Sequence, residues 1–154
     1  MRKALLTGIA VAGAVAATTA AQARTPCIKK DDEAAAVKTH VLKTELMVAA
    51  LTCRHKDRYN AFVERFENRL EARGQTLKAM FERAHDGDGR RALDRYVTRL
   101  ANKAAARGTP CTKARALFSN VMTVPPQRLA RFADSRAFSD THGLDRCGTR
   151  TSMR

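Results

Sequence analysis

Tyr59-Asn60-Ala61-Phe62-Val63-Glu64-Arg65-Phe66-Glu67-Asn68-Arg69-Leu70 decides the fold class. Tyr59, Phe62, Val63, Phe66 and Leu70 fall at i, i+3, i+4, i+7 and i+11, an apolar stripe on one side of an α-helix. The intervening positions alternate Glu64, Glu67 and Glu71 with Arg65, Arg69 and Arg73, a solvated face of weak ion pairs. Gly74 suits the left-handed end of this helix, and a short third helix carrying Leu77, Met80, Phe81 and Ala84 is expected after it.

Upstream, a first helix is expected to begin near Thr25-Pro26 or at Asp31 and to run to about Thr52. Its acids Asp31, Asp32 and Glu33 suit a helix N-terminus, and Val37, Val41, Val48 and Leu51 recur at helical spacing. Downstream, Asp86-Gly87-Asp88-Gly89 breaks the chain. It is no calcium loop, because Arg90 and Val97 stand where oxygen ligands belong, so Gly87 ends one helix and Asp88 caps the next. A fourth helix follows to about Arg107, with Leu93, Tyr96, Val97, Leu100 and Ala104 inward and Gly108 as its stop. Thr109-Pro110 reads as the start of a fifth, with Leu117, Phe118, Val121 and Met122 as its apolar side. Pro125-Pro126 ends it, and a short helix is expected over Gln127–Ala133. No stretch alternates like a strand. The expectation is an all-α, up-and-down bundle of four to six helices, stapled by disulfides and followed by a polar C-terminal tail.

The chain divides into three parts. Residues 1–23 read as a secretory signal peptide: Arg2 and Lys3, an uncharged run from Ala4, and the small-residue ending Ala21-Gln22-Ala23. The competing reading is a membrane anchor, disfavoured by the Ala-, Thr- and Gly-rich run. Residues 24–134 form the helical domain, and 135–154 a polar segment tied down by Cys147. Cleavage places the protein in the periplasm or outside the cell, with no stable membrane insertion. It also lowers the formal net charge of +14 by two, which leaves a strongly basic protein drawn to polyanions.

Four cysteines in an exported chain imply two disulfides. Cys27–Cys53 is excluded, since an unbroken helix would hold them more than about 30 Å apart. Four helices before Cys111 return the chain to its starting end. That parity favours Cys27–Cys111 with Cys53–Cys147, and the crossed set, Cys27–Cys147 with Cys53–Cys111, stays open.

Three segments together resemble an uncharacterised family of small exported four-cysteine helical bacterial proteins: Thr44–Cys53 (TELMVAALTC), Tyr59–Val63 (YNAFV) and Leu93–Asn102 (LDRYVTRLAN). The likeness extends over about residues 44–118. It implies a helical secreted domain in a Gram-negative envelope and supplies no catalytic or binding residues.

Catalytic signatures are missing. The sequence has no Cys-x-x-Cys, no Gly-x-Ser-x-Gly, no His-Glu-x-x-His and no phosphate-binding glycine loop. His40 reads as a helix-surface residue. His55 and His142, drawn with Cys53 and Cys147, match no structural zinc spacing, so no metal or cofactor is expected. Without tryptophan and with 5% aromatics, a stacking platform for bases or sugars is poorly supported. One constellation stands out: Arg91, Arg95, Arg99, Lys103 and Arg107 succeed one another at i+4 along the fourth helix. Such a row spirals by about 40° per step and spans about 24 Å as a candidate anion-binding edge. The expected function is non-enzymatic: an envelope binding or structural protein engaging an anionic component or an acidic protein. The alternatives are a small hydrolase or lyase, or a periplasmic inhibitor or chaperone.

Overall fold

The computed structural model describes residues 25–148. Residues 1–24, which include the segment 1–23 read above as a signal peptide, and the last six residues lie outside them. Among the described residues there are five α-helices and no strand: α1 (Asp31–Thr52), α2 (Lys56–Ala84), α3 (Gly89–Arg107), α4 (Cys111–Met122) and α5 (Leu129–Asp134). Two 3-10 turns, Pro126–Arg128 and Ser139–His142, complete the set. The protein is an all-α, disulfide-stapled bundle.

α1 is the central element. Val37, Val41, Leu42, Leu46, Ala49 and Ala50 are buried on different sides of it. A helix that is apolar around most of its circumference is covered on several sides. Here α2, α3, α4, α5 and the second 3-10 turn all pack against it. The core divides along α1. One cluster joins Val37 and Val41 to Leu77, Phe81, Tyr96 and Leu100. The other joins Leu42 and Leu46 to Phe62, Phe66, Phe118 and Val121. Phe62 and Phe66 are sealed from solvent with ring centroids 5.3 Å apart, and truncating either to alanine costs about 3–5 kcal/mol.

The expected stop at Gly74 does not occur. α2 runs unbroken for 29 residues, and the anticipated third helix is its second half. Leu77, Met80 and Phe81 continue the stripe of Phe62 and Phe66 in phase, so burying them together requires one rigid helix. Gly74 lies exposed, and an added Cβ there would meet nothing within 4 Å.

This merger overturns the favoured disulfide pairing. Among the described residues three long helices, not four, precede Cys111, so the chain reaches it at the end opposite Cys27. The bridges are Cys27–Cys147 and Cys53–Cys111, with Cα separations of 4.9 and 5.5 Å. Cys53–Cys111 ties the α1–α2 turn to the start of α4. Cys27–Cys147 fastens the C-terminal segment beside the entry to α1. There the Ile28 amide donates to Asp145 O at 2.9 Å, and the Cys147 amide donates to Ile28 O at 2.9 Å. Ser139 and Leu144 are buried, so residues 135–148 belong to the packed body.

Two helix starts differ in detail. α4 begins at Cys111, with Pro110 and not Thr109 in the capping position. Asp88 does precede α3, but it caps no backbone amide and pairs with Arg91 at 3.3 Å.

Candidate anion-binding surface

α3 turns Gly89, Ala92, Tyr96, Leu100 and Ala104 inward, and this face sets where the basic row points. Each i+4 step passes a full turn by about 40°, so the row drifts about 160° from Arg91 to Arg107. Arg91 stands in solvent with its side chain 79% exposed. Arg95, Arg99 and Lys103 are also exposed. Among the described residues, no ion pair engages these three. Lys103 lies against the C-terminal segment, its Nζ 3.4 Å from where a Cβ on Gly143 would sit. Arg107 has turned onto α1 and pairs with Glu45, a carboxylate only 7% exposed. The exposed edge is therefore Arg91, Arg95, Arg99 and Lys103, about 18 Å long.

Arg107 thus has a structural partner that sequence reading missed. Glu45 interrupts an apolar stretch of α1, and that interruption was the available signal. Burial pushes its carboxyl above the usual range, and Arg107 offsets this only in part. Glu33, the other buried acid of α1, takes 2.7 Å bonds from the Lys29 amide and from Arg83. Burial raises its pKa, but the Arg83 and backbone hydrogen bonds outweigh that and hold it below the carboxylate range. The interior acids are neutralised by cations from neighbouring helices, and the α3 edge is left without such acids.

The histidines do not converge. His40 is not a surface residue. Its Nε2 is buried without a hydrogen-bond partner, and burial, aided by the nearby Lys43 charge, pushes its pKa down to about 4. His55 meets Phe118 edge-on at 6.3 Å, and His142 Nδ1 accepts the Leu144 amide at 3.1 Å. Cys53 and Cys147 belong to different disulfides, so they cannot serve a zinc site with these histidines. Among the described residues, no group of three or more His, Cys, Asp or Glu could hold a metal ion.

A cleft of about 510 Å³ opens between the start of α1 and α5. Its lining includes Ala34, Ala35 and Ala130 with the pairs Asp31–Arg146 and Lys38–Asp134. No histidine, cysteine or hydroxyl side chain lines it, and its one lysine, Lys38, is paired with Asp134 and Asp140, which raise its pKa and hold it as the ammonium ion. Tyr96 is core: its hydroxyl is buried without a partner, and burial raises its pKa. Compared with known proteins, the chain matches no family model, no curated protein and no solved structure.

Proposed function

We propose that this is an exported, non-enzymatic binding or structural protein of the bacterial envelope, whose basic surface engages an anionic component or an acidic protein. One observation carries the reading: Arg95, Arg99 and Lys103 face solvent without carboxylate partners, while Arg83 and Arg107 are matched to buried acids. Leaving like charges at i+4 unpaired costs a few tenths of a kcal/mol per contact, which a bound anion recovers. Export is supported by the pattern of residues 1–23 and by two disulfides, which persist in oxidising compartments. Among the described residues, no helix is long and apolar enough to cross a membrane.

The test compares two variants of equal charge. Arg91, Arg95, Arg99 and Lys103 are replaced by glutamine in one, and the exposed Lys29, Lys30, Arg69 and Arg128 in the other. Salt elution from a heparin-type resin is the readout. The α3 variant is expected to elute at distinctly lower salt and with a flatter salt dependence, because fewer counterions are released. Equal shifts in both variants would mean that net charge alone matters and would refute the site.

A further inference from the structure

The end of the bundle closed by Cys53–Cys111 carries a second feature that the α3 edge does not explain. Leu51 was expected in the buried stripe with Val37 and Val41. Those two are buried, but Leu51 is 76% exposed. Among the described residues it is the exposed large apolar side chain. Met47 and Val48, at i−4 and i−3 from it, share its side of α1. They are half-buried and belong to neither core cluster. The last turns of α1 therefore present an apolar ridge that the other described residues leave partly uncovered.

Cations share that end of the bundle. Arg54, Lys56 and Arg58 follow Leu51 in the turn into α2. The Cys53–Cys111 bridge, with 5.5 Å between Cα atoms, brings Lys113 and Arg115 of α4 to the same end. All five are exposed, and no ion pair engages any of them among the described residues. Asp57 is the one carboxylate within residues 51–58 and 108–115. Arg54 holds a left-handed backbone conformation, φ 57°, that a non-glycine residue adopts at a cost.

We propose that this tip docks on an anionic phospholipid surface, with Leu51 entering the headgroup–acyl boundary and Arg54, Lys56, Arg58, Lys113 and Arg115 meeting lipid phosphates. Charge complementarity and the central leucine together select that occupant. A polysaccharide or nucleic acid recovers the charge but gains nothing from an exposed leucine, whereas a bilayer accommodates both. The surface shares no residue with the α3 edge and does not rest on it.

The test is co-sedimentation of the mature protein with vesicles of phosphatidylglycerol and phosphatidylcholine, against phosphatidylcholine alone, at physiological salt. The protein is expected to prefer the anionic vesicles. L51Q, which changes no charge and no buried contact, is expected to weaken that partition about tenfold while its elution from the heparin-type resin stays at the wild-type position. The second variant, R54Q/K113Q, removes two cations and is expected to weaken it by about thirtyfold. Equal partition of L51Q and wild type overturns the proposal, as does equal binding of wild type to neutral vesicles. A matching loss by L51Q on the resin assigns the tip to a polyanion and overturns it too. The α3 glutamine variant separates the two readings. If it alone loses vesicle binding, the tip is wrong and the α3 site stands. If L51Q alone loses it and the α3 variant elutes with its control, the α3 site is wrong and the tip stands.

Discussion

His40 makes the fold sensitive to acid, and the size of the effect follows from its burial. In the unfolded chain the imidazole titrates near its ordinary 6.5, and in the native protein near about 4. The native state thus favours the neutral ring. Its stability contribution is complete above 6.5 and is lost as the pH falls toward 4. At about 1.4 kcal/mol per pH unit, the full gap corresponds to about 3 kcal/mol, and about 2 kcal/mol of it is lost between pH 7 and 4.5. That is a large fraction of a typical domain stability of about 5–15 kcal/mol. The perturbation is His40→Leu, which keeps the bulk and removes the titration. The neutral ring's Nε2 has no partner to lose, so the variant is expected within about 1 kcal/mol of wild type at pH 7. Urea unfolding at pH 7, 5.5 and 4.5, with the disulfides intact, is the assay. Glu33, whose pKa is held low, and His142, lowered by burial, also lose stability in acid, but equally in both proteins. The difference between wild type and variant isolates His40, and it is expected to move by about 2 kcal/mol in favour of the leucine protein on acidification. A difference that stays constant from pH 7 to 4.5 would refute the buried, neutral imidazole.

Two glycines are expected to respond oppositely to alanine. Gly74→Ala, exposed and unobstructed within α2, is expected to raise stability by about 0.5–1 kcal/mol, whereas Gly89→Ala places a Cβ 2.5 Å from the Glu82 backbone and is expected to lower Tm by several degrees. Arg107→Ala leaves the Glu45 carboxylate buried without its cation and is expected to cost about 2 kcal/mol at pH 7, less in acid as Glu45 protonates, with Glu45→Gln partly restoring thermal stability in the double variant.

Helices were legible in this sequence because their signals are local. Apolar spacing at three and four residues marks α1 to α4, and Gly87, Gly108 and Pro125-Pro126 mark their breaks. The continuity of α2 was not read, although its signal was present: Leu77, Met80 and Phe81 keep the phase of Phe62 and Phe66. The stop signal at Gly74 concealed it, because a glycine's local preference costs only about 1 kcal/mol in a helix and burial of a common stripe exceeds that. From that one extra helix came the wrong end for Cys111 and the wrong disulfide partners.

The candidate site divides in the same way. The i+4 spacing of Arg91, Arg95, Arg99, Lys103 and Arg107, and its drift around the helix, are properties of the sequence. That the drift ends on Glu45, and so removes Arg107 from the exposed edge, depends on how α3 is set against α1. His40 and Leu51 exchange their expected places for the same reason. Periodicity shows which residues share a helix face, but what covers that face depends on how far each neighbouring helix extends. On its own the sequence determined the helical class, the breaks near Gly87, Gly108 and Pro125-Pro126, the two-disulfide capacity and the basic row. The tertiary structure decided which thiols meet, which acids are buried and which cations remain unpaired, because those properties depend on distances between helices that no local spacing encodes.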